Sequence, residues 1–242
     1  MIQTMSATVV NQLSLPQAEF FRRTPLFDRL TDGELTAIGR DIVERRFQTG
    51  DVIFREGDPG RVFYLLQSGQ VRIFVSGLDG SETSVILIGR PGQIFGELAV
   101  IDGLPRSAFF NDTATTEIYT LSREAFRCHM RQIPQFSLNF MQELSTRLRY
   151  NTRQMDSFAS LDVPQRLARK LLELAQNYGR VETDGVSLDM ILTQTDLASL
   201  IGATRESINK SLRDFRRRQW IQVNQGHITI LDPEALHRQV SG

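Results

Sequence analysis

The sequence predicts an α+β protein: a β-roll, then a long helix, then a winged helix-turn-helix. Three observations predict it. From Phe47 to Leu121, short runs rich in β-branched and aromatic residues recur about every ten residues between turn signals. From Pro134 to Leu161 the apolar residues keep heptad spacing. From Thr193 to Ile230 two short helical stretches flank Gly202, and two short strands flank Asn224–Gln225–Gly226.

Residues 1–18 have mixed polarity and no firm period, which predicts a loose arm. From Phe20 to Val43, Leu26, Phe27, Leu30, Leu35 and Ile38 recur at helical spacing, and Thr31–Asp32–Gly33–Glu34 reads as a helix start. The strand region includes Val52–Ile53–Phe54, Val62 to Leu66, Val71 to Val75 and Val85 to Ile88, separated by Gly57–Asp58–Pro59–Gly60, Ser68–Gly69, Asp79–Gly80 and Pro91–Gly92. Strands do not alternate with helices here, which argues against a Rossmann unit. Glu124 onward returns to helix through Phe126 and Met130. Asp162–Val163–Pro164 marks a break and a fresh helix with Leu167, Leu171, Leu172 and Ala175, ending at Gly179; a short polar stretch follows to Gly185. The expected divisions are an arm at 1–18, a β-roll domain at 19–133, a long helix at 134–161 and a winged helix-turn-helix domain at 162–242.

A chain of 242 residues is comfortable for two domains, and 40% apolar with 23% charged residues is ordinary for a globular protein. No apolar run approaches the roughly 18–20 residues that span a bilayer, and the start lacks a signal pattern, so a cytoplasmic protein without membrane partners is expected. The single cysteine, Cys128, excludes an internal disulfide, and no His or Cys spacing predicts a metal site. Net charge is zero, yet Thr204 to Trp220 carries Arg205, Lys210, Arg213, Arg216, Arg217 and Arg218 against only Glu206 and Asp214. That local excess suits a partner that is anionic at one face.

In the long helix, Met141, Leu144, Leu148, Asn151, Met155 and Phe158 follow steps of 3, 4, 3, 4 and 3. Arg147, Arg149 and Arg153 lie off that seam. One reading is a helix packed on its own domain. Asn151 favours another: a polar residue in an apolar seam costs stability but can meet its own copy across a parallel dimer.

The first constellation runs from Phe95 to Ala108, where Glu97 and Arg106 lie nine residues apart among glycines, Pro105 and Ser107. Gly96 permits close backbone approach, and a short helix after it would aim free N–H groups at an anion. Arg106 offers a planar fork for a phosphate, Glu97 can accept from a ribose hydroxyl, and Ser107 can donate. The string Gly96–Glu97–Leu98–Ala99 followed by Pro105–Arg106–Ser107–Ala108 closely resembles the phosphate-binding cassette of cyclic-nucleotide-binding domains. From about Phe20 to Asp232 the chain resembles the CRP/FNR family of bacterial transcription regulators. The resemblance implies that Glu97 holds the ribose 2′-hydroxyl, that Arg106, Ser107 and the groups beside them hold the cyclic phosphate, and that Asn151 and Thr152 stand where the family reads the base. It implies a cyclic nucleotide, cyclic AMP or a relative, as effector, and RNA polymerase as a partner. Asn151 departs from the hydroxyl residue of the cyclic-AMP-responsive members, which leaves the base unassigned. Phe109 to Thr120 departs from the family's alternating strands.

The second constellation is Thr193 to Gly202 followed by a helix capped by Thr204. Ile208, Leu212 and Phe215 gather on one side of that second helix. Arg205, Glu206, Asn209, Lys210, Arg213, Arg216 and Arg217 take the other. The stretch Gly202 to Lys210 resembles the family's recognition helix, which implies that Arg205, Glu206 and Lys210 touch bases. Arg205 can bond guanine bidentately and Glu206 can accept from cytosine N4, while Thr204, Ser207 and Arg213 suit backbone phosphate. Trp220 is expected in the core, and His227–Ile230 completes a wing. The expectation is a homodimeric regulator, not an enzyme, that binds near-palindromic duplex DNA under control of a small ligand. Two rivals stand: the same role with another ligand or none, and a cyclic-nucleotide module that acts by protein contact.

Overall fold

The computed structural model describes residues 14–76, 82–107, 109–112 and 115–241. They form two compact units, one of the described residues up to Val75 with Leu87–Leu148, the other of the described residues within 76–86 with those from Arg149.

The first unit opens with α1 (Leu15–Arg23), started by a Ser14–Gln17 capping box, and α2 (Asp32–Asp41), started by the Thr31–Glu34 box. Residues 15–18, read as the end of an arm, are therefore helical; residues 1–13 lie outside the described residues. The strands are β1 (Ile42–Phe47), β2 (Val52–Phe54), β3 (Val62–Ser68), β4 (Val71–Ser76), β5 (Glu82–Ile88), β6 (Ile94–Phe95), β7 (Phe109–Asp112) and β8 (Thr116–Ser122). A short helix, α3 (Glu97–Asp102), interrupts them after β6. They build two sheets, ordered β1-β8-β3-β6 and β2-β7-β4-β5. Strand β1 was not expected. Its centre, Glu44–Arg45–Arg46, is charged and exposed, as suits the edge of a sheet. Phe109–Asp112, which lacked a period of two, pairs antiparallel with both β2 and β4.

Helix α4 (Arg123–Gln132) and the start of α5 (Pro134–Ser160) close the roll over an aromatic core. Phe126 lies 4.6 Å from Phe63 and 5.2 Å from Phe140, ring centre to ring centre. Buried Asn139 fastens α5 to the turn before α2, donating through Nδ2 to the carbonyls of Leu26 at 3.1 Å and Asp28 at 2.7 Å. His129 reaches Asp41 at 2.8 Å and joins α4 to α2.

The second unit contains the C-terminal part of α5, α6 (Val163–Tyr178), β9 (Gly179–Glu182), β10 (Gly185–Leu188), α7 (Gln194–Leu200), α8 (Arg205–Arg217), β11 (Ile221–Asn224), β12 (His227–Ile230) and α9 (Pro233–Ser241). Asp162 caps α6, and Pro164 occupies its first turn. The sheet order is β11-β12-β10-β9. The β11–β12 wing matches the expectation. The polar stretch from Arg180 to Gly185 belongs to the β9–β10 hairpin, which the sequence reading did not include. Trp220 is half-buried rather than core, with its ring 5.3 Å from Phe215 and the Arg218 guanidinium 5.0 Å above it. Among the described residues no helix is long and apolar enough to cross a membrane.

Asn139→Ala strands the Leu26 and Asp28 carbonyls in a buried site. Urea denaturation is expected to show a loss of about 1–3 kcal/mol.

Candidate ligand pocket and nucleic-acid interface

The candidate ligand site is built where β6 meets α3. Gly96 adopts φ +70°, and a Cβ there would lie 2.7 Å from Arg106 Nη1 and 2.8 Å from Tyr64 Cδ2. Only glycine fits both the backbone and the space. The turn it makes starts α3 at Glu97, whose side chain is buried.

Arg106 is 4% exposed, and its contacts differ from the open fork expected for a phosphate. Nη1 donates to the Gly96 carbonyl and Nη2 to the Val62 carbonyl, each at 2.6 Å. The guanidinium lies 4.1 Å over the Phe54 ring and 5.3 Å from that of Tyr64, which stacks on Phe95. Burial lowers the pKa of Arg106, against the pull of Tyr64 and Glu97, and burial raises that of Tyr64. The Arg106 Nε–H is buried without an acceptor among the described residues, so the site keeps one unspent donor.

Arg147 was not expected in this site. From α5 it donates to Glu97 Oε1 at 2.5 Å and to the Ile94 carbonyl at 2.7 Å. In sequence it was one of three arginines off the seam, and only the fold distinguishes it. Leu98 and Ser107 are exposed beside the pocket, and Ala108 lies outside the described residues. Asn151 and Thr152 are exposed on α5, in the second unit.

The seam residues divide. Met141, Leu148 and Met155 are 53%, 68% and 63% exposed. Leu144 packs instead against the core of the first unit. Phe158 is partly exposed but lies against Gly202 and under the Arg166 guanidinium.

In the second unit, Thr193 and Asp196 form a capping box at the start of α7. Gly202, at φ +60°, turns the chain, and Thr204 accepts from the Ser207 N–H at 3.2 Å to start α8. Ile208, Leu212 and Phe215 face inward, as expected. Thr204, Arg205, Glu206, Lys210 and Arg213 are exposed, while Ser207 and Asn209 are half-buried. Ser207 spends its hydroxyl on Thr204, at 2.9 Å. Asp214 pairs with Arg217 and Arg218, which leaves Lys210, Arg213 and Arg216 without an acidic partner among the described residues. Lys210 and Arg213 lie on the middle turns of α8 and Arg216 in its last, while the exposed Arg205 stands at the N-terminal end, the part of such a helix that enters a major groove.

A roll with an arginine–glutamate pocket, followed by a winged helix-turn-helix, defines a transcription regulator with a nucleotide-type sensor domain. Residues 44–132 match the family model of the cyclic nucleotide-binding domain, and residues 165–239 that of the Crp-like helix-turn-helix domain. The chain is 32% identical to the CRP-like cAMP-activated global transcriptional regulator of Mycobacterium tuberculosis, over 91% of this chain and 98% of that one. It is 29% identical to the global nitrogen regulator of Synechococcus elongatus, over 81% of this chain and 89% of the relative. A solved CRP/FNR-family regulator from Thermus thermophilus shares 28% identity and superposes with a TM-score of 0.68, covering 82% of this chain and 98% of its own. The chain belongs to the CRP/FNR family of DNA-binding transcription regulators and is not an enzyme.

Gly96→Ala forces a Cβ into Arg106 and Tyr64 and strains the backbone. Thermal unfolding is expected to show a loss of at least about 1–2 kcal/mol.

Proposed function

We propose that the chain acts as a homodimer whose binding to near-palindromic DNA is gated by a cyclic nucleotide, with cyclic AMP the first candidate. The observation that carries the ligand reading is the buried Arg106, whose Nε–H lacks an acceptor among the described residues and stands beside the Glu97 carboxylate. A cyclic phosphate supplies that acceptor, Ser107 adds a donor, and Glu97 receives a ribose hydroxyl. Asn151 and Thr152 are the groups proposed to read the base. Support for the ligand comes from relatives: the Mycobacterium tuberculosis protein is named as cAMP-activated, and a Thermus thermophilus relative, 28% identical, as a cyclic AMP receptor protein.

The exposed stripe of Met141, Leu148 and Met155 supports a parallel pair along α5, with Asn151 meeting its own copy. Two copies of α8 then address half-sites about one DNA turn, roughly 34 Å, apart. Nucleotide binding shifts the population toward the arrangement that fits both half-sites. RNA polymerase is the proposed partner at the promoter, and the cytoplasm the proposed compartment. A second reading, the same DNA role under another ligand or none, rests on one fact: Glu97 already accepts from Arg147.

Titration calorimetry with cyclic AMP, cyclic GMP and cyclic di-GMP tests the ligand. Heat with cyclic AMP, weakened at least about tenfold in Arg106→Gln, is expected. No heat with any of the three overturns the nucleotide reading. Sedimentation showing a single copy that ignores duplex DNA, with and without nucleotide, overturns the dimer.

Arg205→Ala is expected to cost about 1–3 kcal/mol at one base pair in an operator-variant titration. Arg213→Ala is expected to weaken all sequences alike and to reduce the slope of log affinity against log salt by about one.

A further inference from the structure

Two sets of contacts fasten the last part of α5 to the DNA-reading unit. The first is a buried polar ring. Lys170 on α6 is 3% exposed. Its ammonium donates to the Tyr150 hydroxyl at 2.7 Å and to Glu173 Oε2 and Oε1 at 2.9 and 3.2 Å. The Tyr150 hydroxyl donates in turn to Glu173 Oε1 at 3.0 Å, and Gln154 Nε2 donates to Glu173 Oε2 at 3.0 Å. Tyr150 and Gln154 are one turn apart on α5, and Lys170 and Glu173 are one turn apart on α6, so the ring closes between the two helices. Burial depresses the Lys170 pKa, and Glu173 opposes it; burial and then Glu173 hold the Tyr150 proton far more firmly than usual.

The second set lies one turn further on. Arg166 of α6 places its guanidinium 5.9 Å from the Phe158 ring and donates to the carbonyls of Leu161 at 2.8 Å and Ile201 at 2.9 Å. Ile201 and Gly202 form the turn that leads into α8, and a Cβ on Gly202 would sit 3.3 Å from Phe158.

Apolar side chains hold two helices together at least as strongly as a buried ion pair does. A closed ring of directed hydrogen bonds adds a single rotation and a single axial register instead. We propose that Tyr150, Gln154, Lys170 and Glu173 are positioning residues that lock the C-terminal part of α5 and α6 into one body. Arg166 and Phe158 extend that body to the turn before the recognition helix. A change along α5 then reaches α8 as a rigid displacement and is not absorbed at the Asp162–Val163–Pro164 break. This role rests on the ligand-gated reading above, but the lock itself is tested without ligand.

The test uses the full chain carrying Tyr150→Phe and Gln154→Met. Together they remove the hydrogen bonds that Tyr150 and Gln154 make to α6 and leave the Lys170–Glu173 pair intact. Hydrogen exchange followed by mass spectrometry is expected to show amides 150–158 exchanging about tenfold faster, with α8 unchanged. The ratio of operator affinities with and without cyclic AMP is expected to fall about threefold or more. Unchanged exchange overturns the lock. Faster exchange, with operator affinity altered by the same factor in both conditions, overturns the coupling role. If wild-type protein shows no cyclic AMP response, the nucleotide reading fails there, and the exchange measurement decides the lock alone. Should the double variant fail to fold, Tyr150→Phe alone faces the same readouts.

Discussion

Both units depend on one uninterrupted helix. The 27 residues of α5 contain no glycine, and their one proline stands at the first position, so the backbone ladder has no built-in hinge. Each end of that ladder is held by side chains that spend directed bonds. Asn139 and Arg147 serve the first unit, through the Leu26, Asp28 and Ile94 carbonyls and the Glu97 carboxylate. Tyr150 and Gln154 serve the second, through Glu173. Arg147 and Tyr150 are three residues apart, less than one turn, so the change of allegiance along the helix is abrupt.

The pocket places its charge in an unusual setting. A guanidinium in an aromatic box gives up hydration, and two carbonyls with a ring face replace only part of it. The remaining Nε–H is a standing cost that an incoming oxygen relieves. Gly96 is the other half of this arrangement, because any side chain there would expel the Arg106 head from its place. The same local sequence thus starts α3 and holds the Arg106 guanidinium against the Gly96 carbonyl. Glu97 is held differently. Its partner comes from α5, so any ligand that takes the Glu97 carboxylate competes with a residue on the helix that leads to the output unit.

What the sequence made legible was local. The capping pairs Thr31–Glu34 and Thr193–Asp196, the proline start of α6, the Gly202 turn and the inward face of α8 all follow from residues within one or two turns of each other. The cassette was legible because glycine, glutamate and arginine stand close together in the chain. The misses share a cause. Strands β1 and β9 are exposed edges, and an edge needs no alternating apolar face to form. The Arg147–Glu97 pair joins residues 50 apart, and the ring around Glu173 joins residues 19 to 23 apart, so neither has a local signature. Trp220, expected in the core, is half-buried, because an indole under an arginine sits comfortably half in water.

The seam on α5 shows how far such reading extends. Heptad spacing predicted a single stripe, yet Leu144 turned to the first unit's core and Phe158 toward Gly202, while Met141, Leu148 and Met155 stayed in water. These three recur at intervals of seven, one position of the heptad, so they line up along one edge of the rod. Polar residues would solvate that edge at no cost, so a methionine–leucine–methionine edge makes sense only against a surface that removes it from water, at about 25 cal/mol for each Å² covered. A second copy laid parallel brings each of the three to its own counterpart and sets Asn151 beside Asn151, where the amides can bond. An antiparallel copy would face each amide with an apolar side chain and leave it unpaired. In the proposed homodimer, the register that satisfies Asn151 is therefore the one that would place two copies of α8 symmetrically, as a two-fold DNA site requires.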